Sequence, residues 1–118
     1  MKLAHLNLRV RDAGACRVFY EEHFGFRLAF EGDGGFFLRD EHQFLLALIP
    51  VEQHQPLPAG FHLGFTLADA DAVVAMHAEL EAVTPVGPLQ DERPDEDYVS
   101  FRCWDPDGTE IEVFWDGA

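Results

Sequence analysis

One pattern occurs twice in this chain, 57 residues apart. His5-Leu6-x-Leu8-x-Val10-x-Asp12-Ala13-x-Ala15 returns as His62-Leu63-x-Phe65-x-Leu67-x-Asp69-Ala70-x-Ala72. In each copy apolar residues alternate and then change to helical spacing, so each reads as a strand running into a helix. A repeat at nearly half the chain length restricts the fold to two similar modules. The 118 residues are enough for one substantial core and too few for two independent ones. The expected organisation is one domain over 1–118, with module one at about 1–49, a linker at 50–60 and module two at about 61–118. Each module opens on a histidine, so the duplication sets two imidazoles in matching positions.

The elements follow from spacing and punctuation. Residues 3–10 alternate strictly: Ala4, Leu6, Leu8 and Val10 share one face, His5, Asn7 and Arg9 the other. Asp12 is placed to cap a helix that runs to about Phe24, with Gly25 as its stop and Ala15, Val18 and Phe19 as its apolar stripe. Strands are expected at 26–30, 36–39 and 44–49, with Gly32-Asp33-Gly34-Gly35 as a tight turn between the first two. Residues 50–60 hold Pro50, Pro56 and Pro58 and form a connector. In module two, Asp69 or Asp71 caps a helix with Val73, Val74, His77 and Leu80 on its inner face, ending near Val83. A weak strand is expected at 86–89, an acidic loop at 90–97, and strands at 98–104 and 110–115 around the turn Asp105-Pro106-Asp107-Gly108. Both halves read β-α-β-β-β.

Charge narrows the partners. Twenty-two acids against eight Lys and Arg give a net charge of −14, the wrong sign for a phosphate backbone or an anionic membrane. Neither nucleic acid nor membrane is expected as a partner. Cys16 and Cys103 lack zinc or disulfide spacing and read as buried free thiols in a reducing compartment. No apolar run reaches membrane length and the start resembles no signal peptide, so the expected location is cytoplasmic.

Side-chain parity carries the chemistry. In each half the first strand turns its apolar residues toward its helix, which leaves His5 and His62 on the opposite face. In the last strand Ile111, Val113 and Trp115 share one face and Glu110, Glu112 and Phe114 the other. With Ile111 and Val113 under the helix, Glu112 faces the same way as the histidines. Two imidazoles and a carboxylate on a helix-free surface form the ligand set of an open divalent-metal site. Taken singly, each is what the wet face of a half-buried strand carries; the duplication is what makes the set notable. The cofactor expected is a divalent metal ion, Fe, Mn, Ni or Zn. His23, His42, His54 and His77 sit at helix ends, turns or a helix face and are weaker ligand candidates. Tyr98, Ser100, Arg102 and Trp104 share a strand face beside Glu112. Tyr98 is a candidate proton donor and thus a candidate catalytic residue. Ser100, Arg102 and Trp104, with Asn7 and Arg9 beside His5, are candidate substrate-binding residues.

The residues resemble the vicinal oxygen chelate superfamily, which includes glyoxalase I, extradiol dioxygenases, fosfomycin resistance enzymes and bleomycin resistance proteins. The resemblance covers essentially the whole chain. It is carried by His5, by Phe19-Tyr20-x-x-x-Phe24-Gly25-Phe26, by His62, and by Asp105-Pro106-Asp107-Gly108-x-x-Ile111-Glu112. It implies an α+β fold, two βαβββ modules forming a cup-shaped mixed sheet, usually as a homodimer with modules paired within a chain or swapped between subunits. By position it assigns His5, His62 and Glu112 as metal ligands. Glyoxalase I adds a carboxylate from the fourth strand of its first unit, and residues 44–49 contain none. The function implied is a divalent-metal-dependent enzyme acting on a small oxygenated molecule, dioxygenase-like ahead of isomerase or lyase. The alternative is a non-catalytic acidic protein of the bleomycin resistance type that sequesters a cationic compound.

Overall fold

A computed structural model describes all residues 1–118, as two compact units, Met1–Pro56 and Leu57–Ala118. The first unit runs β1 (His5–Val10), α1 (Ala13–His23), β2 (Arg27–Gly32), β3 (Gly35–Arg39) and β4 (Leu45–Pro50). The second runs β5 (His62–Thr66), α2 (Ala70–Glu81), β6 (Gln90–Asp91), β7 (Val99–Trp104) and β8 (Glu110–Trp115). The fold is therefore α+β, two βαβββ modules, each with a four-stranded mixed sheet.

The two sheets have the same topology. Their orders are β1-β4-β3-β2 and β5-β8-β7-β6, with the first and last long strands of each unit paired parallel and the others antiparallel. A parallel pair needs a long crossover, which the helix and the antiparallel strands supply. Asp12 and Asp69 cap the two helices by accepting from the backbone N–H of Ala15 and Ala72. These cap assignments follow the repeat. Asp33 and Gly34 both lie at positive φ, as a two-residue hairpin turn requires.

Each helix covers one sheet face. In the first unit Leu8, Val10, Leu38, Leu46 and Leu48 are buried below α1. In the second Val99, Phe101, Cys103, Ile111 and Val113 are buried below Val73 and Leu80 of α2. Each fully buried side chain of this size stabilises by roughly 1.5–3 kcal/mol through removal of apolar area from water. Alternation is observed over His5–Val10 and Glu110–Trp115. The expected strands at 3–10 and 98–104 begin at His5 and Val99, and Ser100, on the open face of β7, is buried as well.

Two expectations need correction. The inner stripe of α1 is Ala13, Cys16, Phe19 and Tyr20, while Val18 is half exposed. The helix is rotated toward Tyr20, whose ring packs edge-on against Phe26 and against Phe19. The sixth strand is not at 86–89. Val86 makes only an isolated bridge to Cys103, and the strand is Gln90–Asp91, inside the expected acidic loop. Pairing with Ser100 and Val99 decides its place, against the low strand propensity of Gln and Asp.

Candidate metal centre

The site in the second unit is built by register. Parallel pairing sets His62 beside Glu110 and Gly64 beside Glu112, while β7 sets Arg102 beside Glu112 and Trp104 beside Glu110. All lie on the face away from α2. Gly64 contributes no side chain next to Glu112, and a Cβ there would come within 3.2 Å of the Phe114 ring. The carboxylate of Glu112 is thus flanked by Gly64, with the Phe114 ring beside it, on one side and by Arg102 on the other.

Glu112 is the hub. Its Oε2 accepts a short hydrogen bond from the Tyr98 hydroxyl and lies 3.8 Å from Arg102 Nη2. Its Oε1 lies 3.7 Å from His62 Nε2. The side chain is only 13% exposed, against 36% for His62, so the carboxylate sits beneath the imidazole. Arg102 also binds Glu110 Oε2 at 2.8 Å through Nη1. Glu110, which sequence reasoning did not single out, is tied up by that pair and balances Arg102. Tyr98 stacks on Phe114. Burial, and then the adjoining Glu112 carboxylate, push its hydroxyl above the ordinary tyrosine value, so it stays protonated and donating near neutrality.

The donor set fits a divalent cation. His62 Nδ1 lies 2.9 Å from the Gly60 carbonyl, which can only accept, so Nδ1 carries the proton. That leaves Nε2 as the ring nitrogen facing Glu112, 3.7 Å from its Oε1. A separation of 3.7 Å is too long for a hydrogen bond and suits two ligands about 2.0–2.2 Å from a common ion. The backbone carbonyl behind the imidazole is the outer partner that metal-bound histidines commonly have. No group of three His, Cys, Asp or Glu side chains lies within metal-binding range of one another.

Of the residues expected at the site, the second unit brings together His62, Glu112, Tyr98 and Arg102. Ser100 is buried and its hydroxyl contacts Tyr98. Trp104 is 37% exposed at the end of the same face, beside Glu110. His5, Asn7 and Arg9 belong to the first unit, where all three are exposed on the face of β1 away from α1. His77 is structural: its Nε2 lies 2.9 Å from the Gly87 carbonyl and its ring packs edge-on against Phe101. In the first unit the position matching Glu112, paired with Asn7, is Ala47.

The family model described as the Glyoxalase/Bleomycin resistance protein/Dioxygenase superfamily matches residues 2–113. Among solved structures, a possible glyoxalase from Bacillus cereus is similar at 30% identity and TM-score 0.82, over 96% of this chain and 97% of that one. The fosfomycin resistance protein FosX from Listeria monocytogenes, solved with Mn(II) and sulfate, is similar at 16% identity and TM-score 0.80, over 99% and 90%. Lactoylglutathione lyase from Agrobacterium tumefaciens is similar at 22% identity and TM-score 0.71, over 98% and 93%. The last two likenesses concern the fold alone. Among curated proteins none matches.

Proposed function

Because the chain belongs to the glyoxalase/bleomycin resistance protein/dioxygenase superfamily, we propose that it is a divalent-metal-dependent enzyme acting on a small oxygenated molecule, with dioxygenase-like chemistry ahead of isomerase or lyase chemistry. The observation that carries this is the His62–Glu112 pair: an imidazole lone pair and a carboxylate oxygen 3.7 Å apart, each fixed from behind by a hydrogen bond. The third protein ligand in this proposal is His5, supported by its match to His62 in the repeat. FosX, which shares the fold, has been solved with Mn(II), which supports a cation of that class.

A divalent cation held there supplies Lewis acidity toward two neighbouring oxygens of a substrate. The chain's own residues do the rest. Tyr98 and Arg102 hold Glu112 Oε2, which leaves Oε1 as the oxygen offered beside His62. Tyr98 keeps a proton at its hydroxyl, where it can be passed to substrate. Arg102 offsets the negative charge of Glu110 and Glu112 and is placed to receive an anionic group. Ser100 lies buried beside Tyr98 on the same strand face, and Trp104 offers an exposed apolar surface at the margin. Asn7 and Arg9 stand beside His5 on β1 as substrate contacts. A homodimer is proposed from the habit of the family.

Elemental analysis of protein purified after Mn, Fe, Ni or Zn loading tests this. About one ion per chain is expected for the native protein. His62→Ala and Glu112→Gln should each lower affinity by about 100-fold or more, and His5→Ala should do likewise. Full occupancy in all three variants, or none in the native protein, sinks the proposal. The strongly acidic charge favours a second reading, a metal-free protein that sequesters a cationic compound. Saturable binding of a cationic glycopeptide without any metal would favour it.

A further inference from the structure

The two sheets have diverged on their open faces. In the second unit the positions around the hub are Glu110, Glu112, Arg102 and Trp104. The matching positions in the first unit are Leu45, Ala47, Phe37 and Arg39. A charged row became an apolar one, and a second feature lies beside it. Arg27 of β2 is directly opposite Arg39 of β3, and beyond a register shift between Leu28 and Phe30, Phe30 is opposite Phe37. The two phenyl rings stack at 4.5 Å between centroids and 13° between planes. Leu38, between Arg39 and Phe37, is fully buried beneath α1, so the arginines and rings share the open face. Neither guanidinium has a carboxylate partner. Arg39 donates to the Gln43 carbonyl, and Arg27 makes no contact of this kind.

Like charges placed directly opposite on neighbouring strands destabilise a sheet. Here they persist in a chain with 22 acids, any of which could have relieved them. A charge on an edge strand such as β2 does guard against unwanted strand pairing. That guard requires neither a second arginine on the inner strand nor a stacked phenyl that is 47% exposed. Two arginines at facing positions on one sheet face can hold a carboxylate, and an exposed phenyl face is a stacking platform. On β3 the rows of Arg39 and Phe37 are two residues, about 6.6 Å, apart, and the extra residue in β2 brings Phe30 into the Phe37 row. We propose that this face of the first unit binds an arylalkanoate, its carboxylate between Arg27 and Arg39 and its ring on Phe30, with acid and ring about 6–7 Å apart. The local sign is opposite to that of the whole molecule, so the face selects anions that the rest of the surface repels. The two rows continue those of His5 and Asn7 across β4, so the inference rests on the proposed function and names a substrate class for it, while binding to metal-free protein tests it separately from metal loading.

Three-carbon probes test it: 3-phenylpropionate against neutral 3-phenylpropanamide, titrated into metal-free native protein and followed by amide chemical shifts. Saturable shifts confined to β2 and β3 are expected, with the carboxylate binding at least about ten-fold more tightly than the amide. Arg27→Gln should bring the carboxylate down to the level of the amide, and Phe30→Ala should weaken both. Arg27 has no partner to lose, so its variant reports on binding rather than folding. Equal binding of acid and amide, shifts centred elsewhere, or concentration-dependent self-association through β2 in place of probe binding would overturn the proposal.

Discussion

At the residue scale, a few side chains hold backbone that would otherwise be unpaired. Asp105 is 4% exposed, and its Oδ1 accepts from the backbone N–H groups of both Asp107 and Thr109. It closes the turn that aims β8, and with it Glu112, at β5. Asp105→Ala leaves two buried donors unpaired and should cost about 2–4 kcal/mol in denaturant unfolding, more than a surface carboxylate would. Cys103 illustrates burial acting on chemistry. Desolvation first, and the nearby Asp105 charge second, push its thiol up to about 12. The thiolate is therefore absent in the folded state near neutrality. A thiol reagent at about pH 8 should label neither Cys103 nor the equally buried Cys16 until the protein unfolds, after which both react. Rapid labelling of the folded protein would contradict the packing described.

At the element scale, the hairpin of β2 and β3 is held close against β4 at its turn. A Cβ at Gly35 would lie 2.1 Å from the Leu48 carbonyl oxygen, a backbone atom that cannot swing away. Gly35→Ala should force β3 from β4 and lower stability by about 3 kcal/mol, read as a shift in the denaturation midpoint. The same hairpin carries the unrelieved arginine pair. Arg27→Gln should raise stability by about 0.3 kcal/mol at low salt, the sign opposite to a lost ion pair. Under α2 the balance is ordinary core packing. Leu80→Ala removes a side chain 2% exposed over β7 and should cost about 2–5 kcal/mol.

At the scale of the whole molecule, charge dominates. A net charge of −14 on 118 residues opposes compaction by self-repulsion. Raising salt from about 20 to 300 mM shortens the screening length several-fold and should raise the melting temperature. A divalent cation at the proposed site would act in the same direction but saturably, adding about 2.7 kcal/mol at one hundred times its Kd. The two effects separate because His62→Ala should abolish the second and spare the first. No helix is long and apolar enough to cross a membrane.

How much of this was legible beforehand differs by feature. Duplication and alternation are local properties of the chain, so the two βαβββ modules, the cap of α1 and the faces of His62 and Glu112 could be read from residue order, whereas the choice of Asp69 over Asp71 as the cap of α2 came from the structure. The His62–Gly60 contact that sets the tautomer, the link from Tyr98 to Glu112 and the capture of Glu110 by Arg102 could not, since each depends on which residue lies opposite which across strands. Strand β6 was misplaced for the same reason: its pairing partner, not its composition, makes Gln90–Asp91 a strand. Nothing in the order of residues announces Arg27 opposite Arg39 either. Periodicity determines which way a side chain points, because a strand alternates by two and a helix turns by 3.6 residues. Register determines what it meets, and register is decided only when the sheet closes over its core.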